Sequence, residues 1–213
     1  MVLVASRASG HSLPRAEGTR DADIVVDVCG EPRMMANVVG QLESSGYEIP
    51  AEAWKREDLA RCTFFGGLAQ IDVLCPDDAR NDELLFDDRI RSVAIPGGRR
   101  ALELAELVRI QFSDEYPDLE IRVPMLPGAI LVKASNMVDR RTASQPRHFE
   151  DVASMLSILD DPKVVRGSLT EIDVSLLREI SEQVLDDRNL NWSGFEVETR
   201  LKAQAALAIL IEV

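Results

Sequence analysis

At 213 residues, with 46% hydrophobic and 29% charged positions, the chain is long enough to bury a substantial core and ordinary in composition for a globular protein. Its net charge of −13 excludes a broad, sequence-independent grip on DNA or RNA, which needs basic surface, but leaves room for a local basic pocket. No apolar run reaches the ~20 residues of a membrane-spanning helix, and the N-terminus shows no apolar stretch followed by a cleavage site. Cys29, Cys62 and Cys75 lack a CxxC spacing and read as small apolar residues in a reducing compartment, so a cytoplasmic location is expected.

In chain order, residues 2 to about 10 read as the end of a helix, Gly10 to Pro14 as a break and Arg15 to Arg20 as a polar loop. Asp23 to Val28 is an apolar β-branched run and the first predicted strand. Cys29 to Arg33 is a turn, with Pro32 suited to a helix start. Met34, Met35, Val38, Val39 and Leu42 recur at helical spacing, so Met34 to Leu42 is predicted helix, stopped by Ser44 to Gly46. Tyr47 to Ile49 is a short extended piece. Arg61 to Phe65, the pair Gly66 and Gly67, then Leu68 to Leu74 predict a β-hairpin, because glycines supply the positive φ of a tight turn. The N-terminal half is therefore organised as β–α–β–β.

After Pro76 an acidic loop leads to a strand over Arg91 to Ile95, ended by Pro96 to Gly98. Arg99 to Leu107 is predicted helix, and Val108 to Phe112 and Ile121 to Val123 are strands around a turn-rich Ser113 to Asp118. From Leu126 the pattern turns helical, with Pro127 at the opening and an apolar stripe over Ala129 to Met137. Arg147 to Leu159, Val174 to Leu185 and Phe195 to Ile211 follow as amphipathic helices, separated by Asp160 to Pro162 and by Asp186 to Ser193. Residues 1–125 are thus expected to form a mixed core and residues 126–213 a helical region. Trp54 and Trp192 are expected in a core or an interface.

Asp21 and Asp23 stand two apart on the first strand, so both face one side while Ile24 and Val26 face the other. Asp72 lies inside the apolar run Ala69 to Cys75, where an unpaired carboxylate is costly. If the two strands are neighbours, three carboxylates converge, and hard oxygen donors of this kind suit magnesium with a phosphate substrate. Lys133 and Arg140 are seven apart, on one face of a continuous helix, and Lys133 is bracketed by apolar residues that would half-bury its stem. Arg147, His148, Glu150 and Asp151 follow on the next helix. His11 and His148 are the only histidines, and neither has a Ser or Cys partner at a triad-like spacing. Gly66-Gly67 and Gly97-Gly98 are turns rather than phosphate loops, since no helix opening on Lys-Ser or Lys-Thr follows them.

The series His11, Arg15, Thr19-Arg20-Asp21-Ala22-Asp23, Ile71-Asp72 and Lys133 resembles the minimal nucleotidyltransferases, and among them the AbiEii-like family with its R…T-x-D-x-D pattern and later acid. The resemblance spans roughly residues 1–160. It implies an α+β fold: a small mixed β-sheet nucleotidyltransferase-like core with helices packed on it, followed by a C-terminal helical region. It further implies that Asp21, Asp23 and Asp72 hold two magnesium ions and carry catalysis. Thr19, Arg15, Lys133, Arg140 and Asp151 would line the nucleotide pocket, with Lys133 on a phosphate, Arg140 supporting it and Asp151 orienting either cation. The family carries a Gly-Gly or Gly-Ser pair ahead of its DxD; here only Ala5-Ser6-Arg7 and Gly10 stand there, so the expectation is either that the gene starts further upstream than this sequence or that the first strand and phosphate-binding turn have been lost.

The implied activity is transfer of a nucleoside monophosphate from a nucleoside triphosphate to an RNA or protein hydroxyl. The implied role is the toxin of a toxin–antitoxin pair, with an antitoxin as partner. A second reading, of a different class, is a catalytically inactive nucleotidyltransferase-like domain that serves as a protein-interaction module.

Overall fold

The computed structural model describes residues 21–31, 33–51, 60–80, 82–87, 90–111, 118–139 and 145–212. The fold is α+β, and the chain divides into two compact units, one running Glu17–Leu102 and the other holding Glu103–Val213. The division falls ahead of the second unit's β-hairpin, whereas the compositional change at residue 126 marks that hairpin's end.

In the first unit, β1 (Asp21–Val25) is followed by helix α1 (Met34–Ser44). A two-residue strand, β2 (Ala60–Arg61), precedes the hairpin of β3 (Thr63–Gly66) and β4 (Ala69–Pro76). Then come β5 (Leu85–Asp87), β6 (Ile90–Arg91), β7 (Val93–Ile95) and the short helix α2 (Gly98–Glu103). β4 is the centre of the main sheet: β1 and β7 pair with it in parallel and β3 antiparallel. A smaller sheet has the order β2-β6-β5.

Strand alternation divides the main sheet into two unlike faces. On one, Val26, Phe64, Val73 and Cys75 are buried against Met35 and Val39 of α1. The other carries Asp23, Asp72 and Thr63, which the ladder sets side by side. α1 ends where expected, with Gly46 at φ 82° beyond its C-cap. The hairpin turn uses its two glycines differently. Gly67 has φ 60° and turns the chain, while Gly66 lacks a Cβ because one would stand 2.7 Å from the Tyr47 ring.

The expected strand over Arg91 to Ile95 is split between the two sheets at Ser92. That residue is buried; its amide donates to the Leu84 carbonyl at 2.8 Å and its hydroxyl to the Val73 carbonyl at 2.9 Å. The helix expected to reach Leu107 stops at Glu103. From Ala105 the chain is strand β8 (Ala105–Ile110), paired antiparallel with β9 (Leu119–Pro124) over six residue pairs. A complete ladder outweighs the local helical preference of Ala105-Glu106-Leu107.

The second unit continues with α3 (Leu126–Val138), α4 (Gln145–Ser157), α5 (Pro162–Ser168), α6 (Glu171–Val184), a 3₁₀ turn at Leu190–Gly194 and α7 (Val197–Ile211). α3 buries residues around most of its circumference, as expected of a helix at the centre of a bundle. Phe149, Val152, Met155 and Leu156 of α4, Leu177 and Ile180 of α6, and Leu207 and Leu210 of α7 close around it. Trp192 is buried here, edge-on to Phe149 and Phe195; Trp54 lies outside the described residues.

α5 has no counterpart among the expected helices. Its start is set by Asp161, whose carboxylate accepts from the amides of Lys163 and Val164, and by Pro162 in the first turn. α6 opens on a capping box, Thr170 with Asp173. Among the described residues no helix is long and apolar enough to cross a membrane.

Candidate functional site

β1 and β4 are neighbours, as the convergence of acids requires. Asp23 faces Asp72 across the parallel ladder, and Asp21 pairs with Gln70. Asp72 in turn faces Thr63 on β3, so an acid, an acid and a hydroxyl form a row over three strands. Asp23 is exposed and Asp72 half-buried. Two contacts fix the Asp72 carboxylate: Thr63 Oγ1 donates to Oδ1 at 2.6 Å and Gln70 Nε2 to Oδ2 at 3.1 Å. Each oxygen keeps a further lone pair for a cation or proton. Asp21 is described by its backbone alone, and among the described residues no group of three His, Cys, Asp or Glu side chains is assembled around a cation-sized space.

At the C-terminal edge of the parallel strands lies a second charged group, absent from the sequence-based expectations. Asp27 follows β1, Asp77 and Asp78 follow β4, and Arg99 stands just beyond β7. Arg99 Nη2 donates to Asp27 Oδ1 at 2.9 Å and Nε to Asp78 Oδ2 at 2.8 Å. The amides of Gly97 and Arg99 both donate to Asp77. Hydrogen bonding from Arg99 holds the Asp27 carboxyl below the usual carboxylate range, and the two acids push the guanidinium further up. Sequence spacing offers no signal for this group, because Asp27 and Arg99 are 72 residues apart.

Cys29 departs from the expectation of a small apolar residue. It is exposed, with its sulfur 3.9 Å from Asp78 Oδ1 and 3.8 Å from Glu83 Oε2. Desolvation and then the repulsion of those carboxylates raise the thiol's pKa, which keeps it protonated and a poor nucleophile. Cys62 and Cys75 are buried, as expected of small apolar residues.

In the second unit Lys133 Nζ meets Asp151 Oδ2 at 2.7 Å, with the two side chains 17% and 23% exposed. Half-burial of the lysine stem is what its apolar neighbours led one to expect; of the two cations that the resemblance set beside Asp151, Lys133 or Arg140, Lys133 is the one seen in contact with it. The continuous helix through Arg140 is not found: α3 ends at Val138, followed by Asp139 in extended backbone. Arg140 itself lies outside the described residues, as do His11, Arg15 and Thr19. His148, on α4, is half-buried beside this pair.

No protein family, curated protein or solved structure matches this chain.

Proposed function

We propose that the chain is a magnesium-dependent nucleotidyltransferase that moves a nucleoside monophosphate from a nucleoside triphosphate to an RNA or protein hydroxyl. The observation that carries this reading is the pairing of Asp23 with Asp72 on neighbouring parallel strands, on the sheet face opposite α1, in a sequence that resembles the AbiEii-like nucleotidyltransferases. The donors are hard carboxylate oxygens, which fit magnesium. Asp21, Asp23 and Asp72 would hold two ions, which when bound supply charge neutralisation at the phosphates and acidify the attacking hydroxyl.

The chain's own part begins with Asp72. Thr63 and Gln70 hold its carboxylate in one orientation, so a productive geometry needs no rotamer search. A carboxylate so placed would take the proton of the acceptor hydroxyl. In the second unit, Lys133, restrained by Asp151, is by resemblance a phosphate-holding residue, and it has the chemistry of one, a compact cation. Resemblance alone assigns nucleotide-binding roles to Arg15, Thr19 and Arg140, which lie outside the described residues. Resemblance also suggests the biological role, a toxin held by an antitoxin in the cytoplasm.

Thermal stability with magnesium and each nucleoside triphosphate tests the reading. At a ligand concentration about 100 times Kd, the wild type should melt about 5–10 °C higher. Asp23→Asn and Asp72→Asn should lose that rise. Equal rises in wild type and both variants would remove the acids from the site and the proposal with them.

A further inference from the structure

His148 stands three residues before Asp151 on α4, so the two share a helix face, and Lys133 of α3 meets that face through its 2.7 Å contact with Asp151. The Nδ1 atom of His148 is buried and has no hydrogen-bond partner among the described residues. A buried N–H without an acceptor is rarer and costlier than a bare lone pair, so the neutral ring carries its proton on Nε2. A second proton would have to go onto Nδ1, where it needs an acceptor.

The charged groups that bear on the ring are Lys133 from α3, and Asp151 and Arg147 from α4 itself. The 3₁₀ turn Leu190–Gly194 packs on α4 but has no charged residue. Lys202 and Arg200 of α7 pair elsewhere, with Glu198 and Asp187. Burial first, then the Lys133 charge, depresses the proton affinity of the imidazole, and Asp151 acts in the opposite direction.

We propose that His148 is a positioning residue for Lys133: neutral, it leaves the Asp151 carboxylate to the lysine, and protonated, it draws that carboxylate away and releases the ammonium to an oxyanion. The proposal rests on the reading of Lys133 as a phosphate-holding cation. One proton from solvent is taken up at Nδ1, and no covalent bond changes. Because coupling is reciprocal, an oxyanion held by Lys133 must in turn raise the pH at which His148 takes up its proton.

The test follows the imidazole signals by NMR as pH is varied. The chain has two histidines, so His11→Gln assigns the His148 signal. The full chain is compared with Lys133→Met, Lys133→Arg and Asp151→Asn, with and without tripolyphosphate. Lys133→Met should raise the His148 midpoint, Lys133→Arg should leave it near the wild-type value, and Asp151→Asn should lower it. Tripolyphosphate should raise the wild-type midpoint by about 0.7 pH unit or more, the fivefold lower end of ordinary coupling. A midpoint indifferent to Lys133→Met overturns the proposal. Tripolyphosphate that binds without moving the midpoint overturns it alone. Absence of binding at both pH 5 and pH 8 overturns it together with the phosphate reading of Lys133.

Discussion

Arg99 shows how much of the first unit depends on one side chain. It joins the segments that follow β1 and β4 to the start of α2, through its side-chain contacts with Asp27 and Asp78 and the hydrogen bond its backbone N–H donates to Asp77. Its own side chain is 27% exposed and its partners 42% and 51%, so solvent screens both ion pairs. Arg99→Met is expected to cost about 1–2 kcal/mol at pH 7, read by urea denaturation. The sign of the pH dependence follows from Asp27. Its folded pKa is depressed, so its contribution is complete above the unfolded value of about 3.9 and is lost as pH falls through the folded one. The difference between wild type and Arg99→Met should therefore narrow between pH 5 and pH 2. A difference independent of pH would show that Arg99 acts by packing alone. Among single residues, the common face of Asp21 and Asp23 was legible because strand alternation is a rule of period two, whereas their meeting with Asp72 depended on β1 and β4 being neighbours. Arg99 was not, because nothing within a few residues of either position encodes a contact made 72 residues away.

At the scale of elements, the β3–β4 hairpin offers the sharpest case. A two-glycine turn was expected from φ requirements, and only Gly67 has a positive φ. Gly66 answers to a tertiary contact, the Tyr47 ring brought over it where Glu48 bridges to Phe65. Gly66→Ala should cost about 1–3 kcal/mol, the ordinary range for overpacking. The loss should shrink when Tyr47→Ala is present as well, a coupling that a double-mutant cycle measures. Additive losses would mean that the glycine is required by its backbone instead. The same contest between local and long-range terms explains two departures. Ala105 to Leu107 has helical composition but completes the ladder with Arg122 to Pro124. α5 forms from seven residues on the strength of a cap, a signal present in Asp161-Pro162 but too short to register as a periodic stripe.

For the whole molecule, each unit has its own buried cluster. One is built on Phe64, Val73 and Val39, the other on α3 and the helices around it. Phe64 and Leu207 are both fully buried, so Phe64→Ala should cost about 3–5 kcal/mol and Leu207→Ala about 2–5 kcal/mol. Amide hydrogen exchange should locate each loss in its own unit, Glu17–Leu102 for the first and Glu103–Val213 for the second. Uniform loss across the chain in both variants would mean that the two clusters unfold as one.

The α+β class, the β–α–β–β order of the first half and the helical character of the second were determined by the sequence alone, because period and turn chemistry are properties of neighbouring residues. The two rows of unlike chemistry on β1 and β4 belong to the same category. The tertiary structure decided which acids stand opposite one another, where α2 gives way to β8, and that Arg99 ties the segments after β1 and β4 to the start of α2. It also left His148 beside Lys133 and Asp151 with a buried nitrogen that has no partner among the described residues. Register, burial and ion pairing depend on which segments pack together. That choice is made by the free energy of the whole packed unit, not by any window of sequence.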